Sequence, residues 1–250
     1  MKIGAQFYTL RDFCKTPEAL AESLKKVADI GYRTVQISGT CPYDAAWLKG
    51  ELDKNGLICV VTHSTRERLR DETAALIAEH DVLGCRNIGL GFYGWDEAVA
   101  DQNYEYFFRV YPRIAKEIRA GGHYFMYHNH DQEFKKVNGK LILEAIAEAY
   151  APDELGFILD TYWTQVGGGD PAQWLEKLSG RVPCIHLKDC AYKQKMAVIG
   201  EGNINFDRVF AAAEKAGTQF MLVEQDDCYG EDPFECLKRS YQYLRSCGLE

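Results

Sequence analysis

At 250 residues, with 46% hydrophobic and 26% charged side chains, the chain is too long for a small binding module and too apolar for a disordered one. Its formal net charge of -8, with no dense Lys/Arg run to offset it, argues against nucleic acid as a partner. No apolar stretch approaches the roughly 20 residues that cross a bilayer, and Met1–Leu10 lacks a basic segment followed by an apolar run, so no membrane partner and a cytoplasmic location are expected.

In chain order, short β-rich apolar runs alternate with longer amphipathic segments. The first strand is expected over Lys2–Tyr8, followed by a helix from Pro17 to Ile30. Three more pairs follow: Thr34–Ser38 with Asp44–Asn55, Ile58–Ser64 with Arg70–Leu83, and Asn87–Gly91 with a long helix over Gln102–Ala120. The second half reads as His123–His130 with Leu141–Tyr150, Leu155–Thr161 with Pro171–Leu178, Cys184–Asp189 with Phe206–Ala216, and Phe220–Gln225 with Pro233–Ser246. Gly31, Gly56, Gly84, Gly121, Gly180 and Gly217 each fall just past a helix, where a left-handed cap favours glycine.

Eight strand–helix units imply right-handed crossovers and a parallel sheet, and in 250 residues they fit one closed (β/α)8 barrel, a TIM barrel spanning residues 1–250 as a single catalytic domain. A doubly wound sheet is the alternative, but neither a G-x-G-x-x-G fingerprint after the first strand nor a P-loop is present. Nine cysteines, odd in number and without a CxxC pair, read as reduced core residues, Cys59 and Cys184 among them.

In such a barrel the C-terminal strand ends converge on one mouth, where chemistry resides. Strand five ends in Tyr127-His128-Asn129-His130 and runs into Glu133; strand six ends in Asp160, strand seven carries His186 and Lys188, and strand eight ends in Glu224. Carboxylates and imidazole suit one divalent cation, with Mn, Mg, Co and Zn all plausible and Mn or Zn favoured. An ionised carboxylate directly after the apolar run Gly156–Leu159 needs a cation, a hydrogen-bond partner or solvent, and a helix N-cap or a salt bridge is the plainer account of Asp160 alone. Matching strand ends at His186 and Glu224 favour the metal.

Glu133 is the expected fourth ligand, with His128 as the alternative. His128 and His130 are not both expected to point into the barrel, and His130 is the preferred proton-transfer residue. Lys188 shares the face of His186 and is assigned to a substrate oxygen or a developing anion, against a structural ion pair with Asp189 or a neighbouring glutamate. Gln6, Tyr8 and Arg11 near strand one, His63 at the end of strand three, His128, and Trp163 after Asp160 are the candidate substrate-binding residues. Tyr104, Tyr106, Phe107, Phe108 and Tyr111 in the fourth helix read as core or as part of a homo-oligomer interface, with core the simpler account.

These residues carry a resemblance that spans almost the whole chain. Gln6–Asp12, His128-Asn129-His130 with Glu133-Phe134, Leu159–Thr161, His186–Asp189, Gly200–Gly202 and Val223-Glu224 resemble the sugar phosphate isomerase/epimerase family with its xylose isomerase-like TIM barrel. That superfamily also includes inosose dehydratases, 3-dehydroshikimate dehydratases and endonuclease IV. The resemblance implies that Asp160, His186 and Glu224 hold a metal, and that a proton is removed next to a carbonyl with the resulting enediolate stabilised by the cation. Many relatives have a strand-five glutamate where this chain has His128, and family epimerases pair strand-five and strand-eight glutamates as acid and base. Glu224 fits the second of those roles, whereas His130 resembles the strand-five histidine that family dehydratases use as base.

The implied activity is a metal-dependent isomerase or epimerase of a small sugar or sugar derivative. The alternative is a lyase or dehydratase acting on an inosose or 3-keto sugar. An endonuclease IV-like repair enzyme conflicts with the acidic charge and small ligand supply, and a non-catalytic sugar-binding barrel is the remaining reading.

Overall fold

The computed structural model describes all 250 residues. Eight parallel strands form a closed barrel: β1 (Lys2–Gln6), β2 (Thr34–Ile37), β3 (Ile58–Ser64), β4 (Asn87–Leu90), β5 (Tyr124–His128), β6 (Leu155–Asp160), β7 (Cys184–Leu187) and β8 (Phe220–Val223). Each strand pairs with its neighbours in sequence, and closure comes from β1 against β8, with Lys2 opposite Phe220 and Ala5 opposite Val223. Between them run α1 (Pro17–Ile30), α2 (Ala45–Lys54), α3 (Arg66–Asp71), α4 (Thr73–Leu83), α5 (Tyr104–Ala120), α6 (Ile142–Ala149), α7 (Thr161–Val166), α8 (Pro171–Lys177), α9 (Phe206–Ala216) and α10 (Pro233–Ser246).

The main apolar core lies between strands and helices, and a smaller cluster of Val60, Val61, Met126, Ile158, Cys184 and Leu222 fills the bore. There is no room for more: a Cβ on Gly4 would stand 2.5 Å from Leu222 Cδ2. The bore is therefore packed below the mouth, as barrels of this kind require. Phe107 and Tyr111 stack at 4.6 Å inside the main core, with Tyr104 and Phe108 packed partly buried against it, in line with the simpler account of the aromatic helix.

Several boundaries differ from the expectation. The first strand stops at Gln6 because the Gln6 side chain accepts from Tyr8 N and opens a 3-10 turn over Phe7–Phe13. The helix expected over Arg70–Leu83 is two helices, broken at Glu72, which has φ -128°. An unforeseen short helix, α7, follows Asp160 directly. Gly121 keeps φ -75°, and the left-handed position falls on Gly122 at φ 86°. All nine cysteines are free, with Cys59 and Cys184 buried as core residues. No helix is long and apolar enough to cross a membrane.

Candidate metal centre and active site

At the C-terminal mouth four buried side chains meet: His128 from β5, Asp160 from β6, His186 from β7 and Glu224 just past β8. One ligand atom from each lies within 4.8 Å of all the others. Residues 160, 186 and 224 are brought together because each ends an apolar strand, so burial of the strand carries its final polar side chain to the rim of the bore.

The histidine tautomers are set from behind. His128 Nδ1 donates to the carbonyl of Gly91 at 2.9 Å, and His186 Nε2 donates to Gln36 Oε1 at 2.7 Å. Each ring then turns its other nitrogen inward, His128 Nε2 toward Asp160 Oδ2 at 3.3 Å and His186 Nδ1 toward Glu224 Oε2 at 2.8 Å. His186 Nδ1 and Glu224 Oε2 are both buried and face each other, and the Lys188 ammonium stands 2.9 Å from the same carboxylate oxygen. The Lys188 ammonium already offsets part of the charge of the two carboxylates, and a carboxylate–imidazole set with ring N–H groups tied to outer acceptors suits a divalent ion beside it. The residues present fit such an ion.

Asp160 divides its two oxygens. Oδ1 accepts from Trp163 N at 2.9 Å and caps α7, while Oδ2 faces the cluster. The N-cap and the metal reading thus describe different atoms of one carboxylate. Its backbone N–H is tied to Asn129 Oδ1 at 3.0 Å. Glu224 is oriented by Gln6, whose Nε2 donates to Oε1 at 3.1 Å.

Lys188 reaches the same point, its Nζ 2.9 Å from Glu224 Oε2, 3.0 Å from Asp226 Oδ2 and 3.2 Å from Asp160 Oδ2. Burial alone would favour the neutral amine, but the charges of Asp160, Glu224 and Asp226 overcome it and hold Lys188 protonated. Of the two expected ion-pair alternatives, the one with a glutamate is present at Glu224, and the one with Asp189 does not occur. Asp189 faces away, accepting from the backbone N–H groups of Cys190, Gly200, Gly202 and Ile204 at 2.8–3.2 Å, and so fixes the Gly200-Glu201-Gly202 loop.

Glu133, the expected fourth ligand, stands outside the cluster. Its Oε1 accepts from Trp95 Nε1 at 2.8 Å and Tyr127 OH at 2.5 Å, and its Oε2 from His130 N at 2.7 Å. The 3-10 turn Gln132–Phe134 folds it beneath the loop, and the place goes to His128. His128 and His130 both reach the mouth, their rings 4.6 Å apart, because residues two apart in an extended chain share a face. Burial, and then the charges of His128 and Lys188, push the His130 imidazole well below its usual range. It is therefore neutral near pH 7, with a buried Nδ1 that has no partner.

A cavity of about 640 Å³ opens above, lined by Tyr8, Arg11, His63, His128, His130, Trp163 and Lys188 among others. His63 Nε2 and Trp163 Nε1 are buried in its wall without partners. Gln6 differs from the expectation of substrate contact: it is fully buried beneath Glu224. Sequence reasoning missed Gln36 and Asp226, and it quoted Asn129 and Thr161 within motifs without giving either a role. The first carried a signal, a glutamine inside the short, wholly buried strand β2. Thr161 bonds the carbonyl of Lys188 at 2.7 Å and accepts from Lys188 N at 3.0 Å, locking β6 to β7 at the rim.

The family model described as xylose isomerase-like TIM barrel matches residues 24–247. An inosose dehydratase of Geobacillus thermodenitrificans is 27% identical over 128 residues, and the match covers 43% of each chain. One of Geobacillus kaustophilus is 23% identical across 88% of this chain and 85% of its own length. A sugar phosphate isomerase/epimerase structure from Parabacteroides distasonis superposes with a TM-score of 0.83 at 24% identity, covering 98% of this chain and 93% of the other.

Proposed function

The chain belongs to the xylose isomerase-like TIM-barrel family, and from that premise we propose that it is a divalent-metal-dependent isomerase or epimerase of a small sugar derivative. The convergence of His128, Asp160, His186 and Glu224 on one point beside a neutral His130 carries the reading. An ion held by these four residues supplies Lewis-acid polarisation of a carbonyl and its neighbouring hydroxyl. His130 takes the proton from the carbon next to that carbonyl, since its imidazole is unprotonated and its Nδ1 is free of other bonds. The Lys188 ammonium is held too firmly to act as a base. It faces the growing oxygen charge and lowers its cost. His63 and Trp163 offer unpaired polar atoms to substrate hydroxyls.

A second reading, dehydration of an inosose or 3-keto sugar, is favoured by one observation. Glu133 is fully engaged by Trp95, Tyr127 and His130 N, so strand five offers a histidine and no free glutamate for two-sided proton transfer. The names of the two dehydratase relatives agree with it. Metal-loaded protein in deuterated water with ketoses, inososes and 3-keto glycosides decides. Solvent deuterium in a rearranged sugar supports isomerisation, an unsaturated product supports dehydration, and no exchange with any of them overturns both.

A further inference from the structure

Resting on the sugar-directed reading above, we propose that the mouth holds a second, outer subsite for another sugar ring, so that the substrate is a disaccharide or a longer O-linked saccharide.

The mouth is divided. His128, His130, Asp160, His186, Lys188 and Glu224 all come from the ends of β5–β8. The ends of β1–β4 and the loops that follow line the same cavity and, His63 apart, add nothing to that cluster, contributing Tyr8, Ser64, Arg66, Glu67 and Phe92. Half of the mouth is thus left for recognition. The cavity of about 640 Å³ falls within the range of about 300–1,000 Å³ usual for ligand sites and leaves space beyond the metal-facing half.

Two exposed aromatics stand in this half, Tyr8 at 38% and Phe92 at 53% exposure. Phe92 lies edge-on to His130 at 5.0 Å, which sets it immediately outside the proton-transfer residue. Its ring packs over Gly94, where a Cβ would come within 2.9 Å of Phe92 Cε1. Tyr8 is held by the Arg11 guanidinium 4.6 Å from its ring centroid and by Gly39, where a Cβ would stand 2.7 Å from Tyr8 Cδ2. Both rings are fixed in advance, so little side-chain freedom is lost when a ligand covers them. A sugar ring offers a C–H face to such aromatics and hydroxyls at its edge to Ser64 and Glu67. A wholly apolar aglycone would strand those polar groups.

The test is titration of metal-loaded protein with glucose, maltose and cellobiose, in wild type and in Phe92→Ala. At least one disaccharide should bind about tenfold more tightly than glucose, and Phe92→Ala should weaken the disaccharide about tenfold more than the monosaccharide. Equal wild-type affinities, or a disaccharide advantage that survives in Phe92→Ala, would overturn the subsite while leaving the sugar reading intact. No binding of any of the three sugars also overturns the subsite, while the sugar-directed reading is decided by the deuterium-exchange test. Sedimentation of the same two proteins supplies the control: a dimer that dissociates on Phe92→Ala assigns Phe92 to a second copy of this chain and removes the subsite.

Discussion

His186 Nε2 donates to Gln36 Oε1 at 2.7 Å across the bore, and this bond decides which ring nitrogen faces the carboxylates. Gln36→Leu removes the acceptor, so the ring is free to rotate or exchange its tautomer. Metal affinity should fall 10–100-fold, read by calorimetry, and the absorption bands of the cobalt-loaded protein should shift, while circular dichroism stays unchanged. Unaltered affinity and spectrum would show that Gln36 does not orient His186.

Asp160 allows its two roles to be separated. Asp160→Asn keeps an oxygen for Trp163 N but loses the anionic donor, and metal content measured by elemental analysis should fall from one ion per chain to near none. Asp160→Ala loses the cap as well and should be less stable than the Asn variant by about 1 kcal/mol. Full metal occupancy in either variant contradicts the site.

Asp189 should matter to folding more than to chemistry. Asp189→Ala leaves four backbone N–H groups without their acceptor, and urea unfolding should show a loss of about 3 kcal/mol. Gly202→Ala should lose stability at the same place, because its Cβ would stand 2.3 Å from Asp189 Oδ1.

His80, far from the mouth, gives the stability a pH dependence. Burial lowers its pKa to about 4, with Nδ1 on the Leu76 carbonyl and Nε2 accepting from Thr62. The unfolded chain binds this proton near pH 6.5, so the contribution is complete above that pH and is lost as the pH falls toward 4. It amounts to about 3 kcal/mol. The stability difference between wild type and His80→Gln should shrink by that amount between pH 7 and pH 4, and a pH-independent difference refutes the assignment.

Asp160, His186 and Glu224 were legible because an ionisable residue closing a buried apolar strand has few places to go in a barrel. The choice between His128 and Glu133 was not, since it depends on the path of a three-residue turn that no periodicity records. Gln6 shows a similar limit. Alternation along β1 turns it toward the bore, but its depth beneath Glu224 follows from the turn that its own side chain starts. The split between α3 and α4 escaped because Arg66–Leu83 carries neither proline nor glycine to mark a break.

The capping bond of Asp160 also limits which ions the centre accepts. With Oδ1 accepting from Trp163 N and Oδ2 facing the cluster, this carboxylate would favour binding a proposed ion through one oxygen over two-oxygen chelation. Two of the four donors are imidazoles. On the proposed metal reading, a calcium ion, which needs six to eight oxygens at about 2.3–2.6 Å, would be poorly served, and a preference for small transition ions would trace to the first turn of a helix.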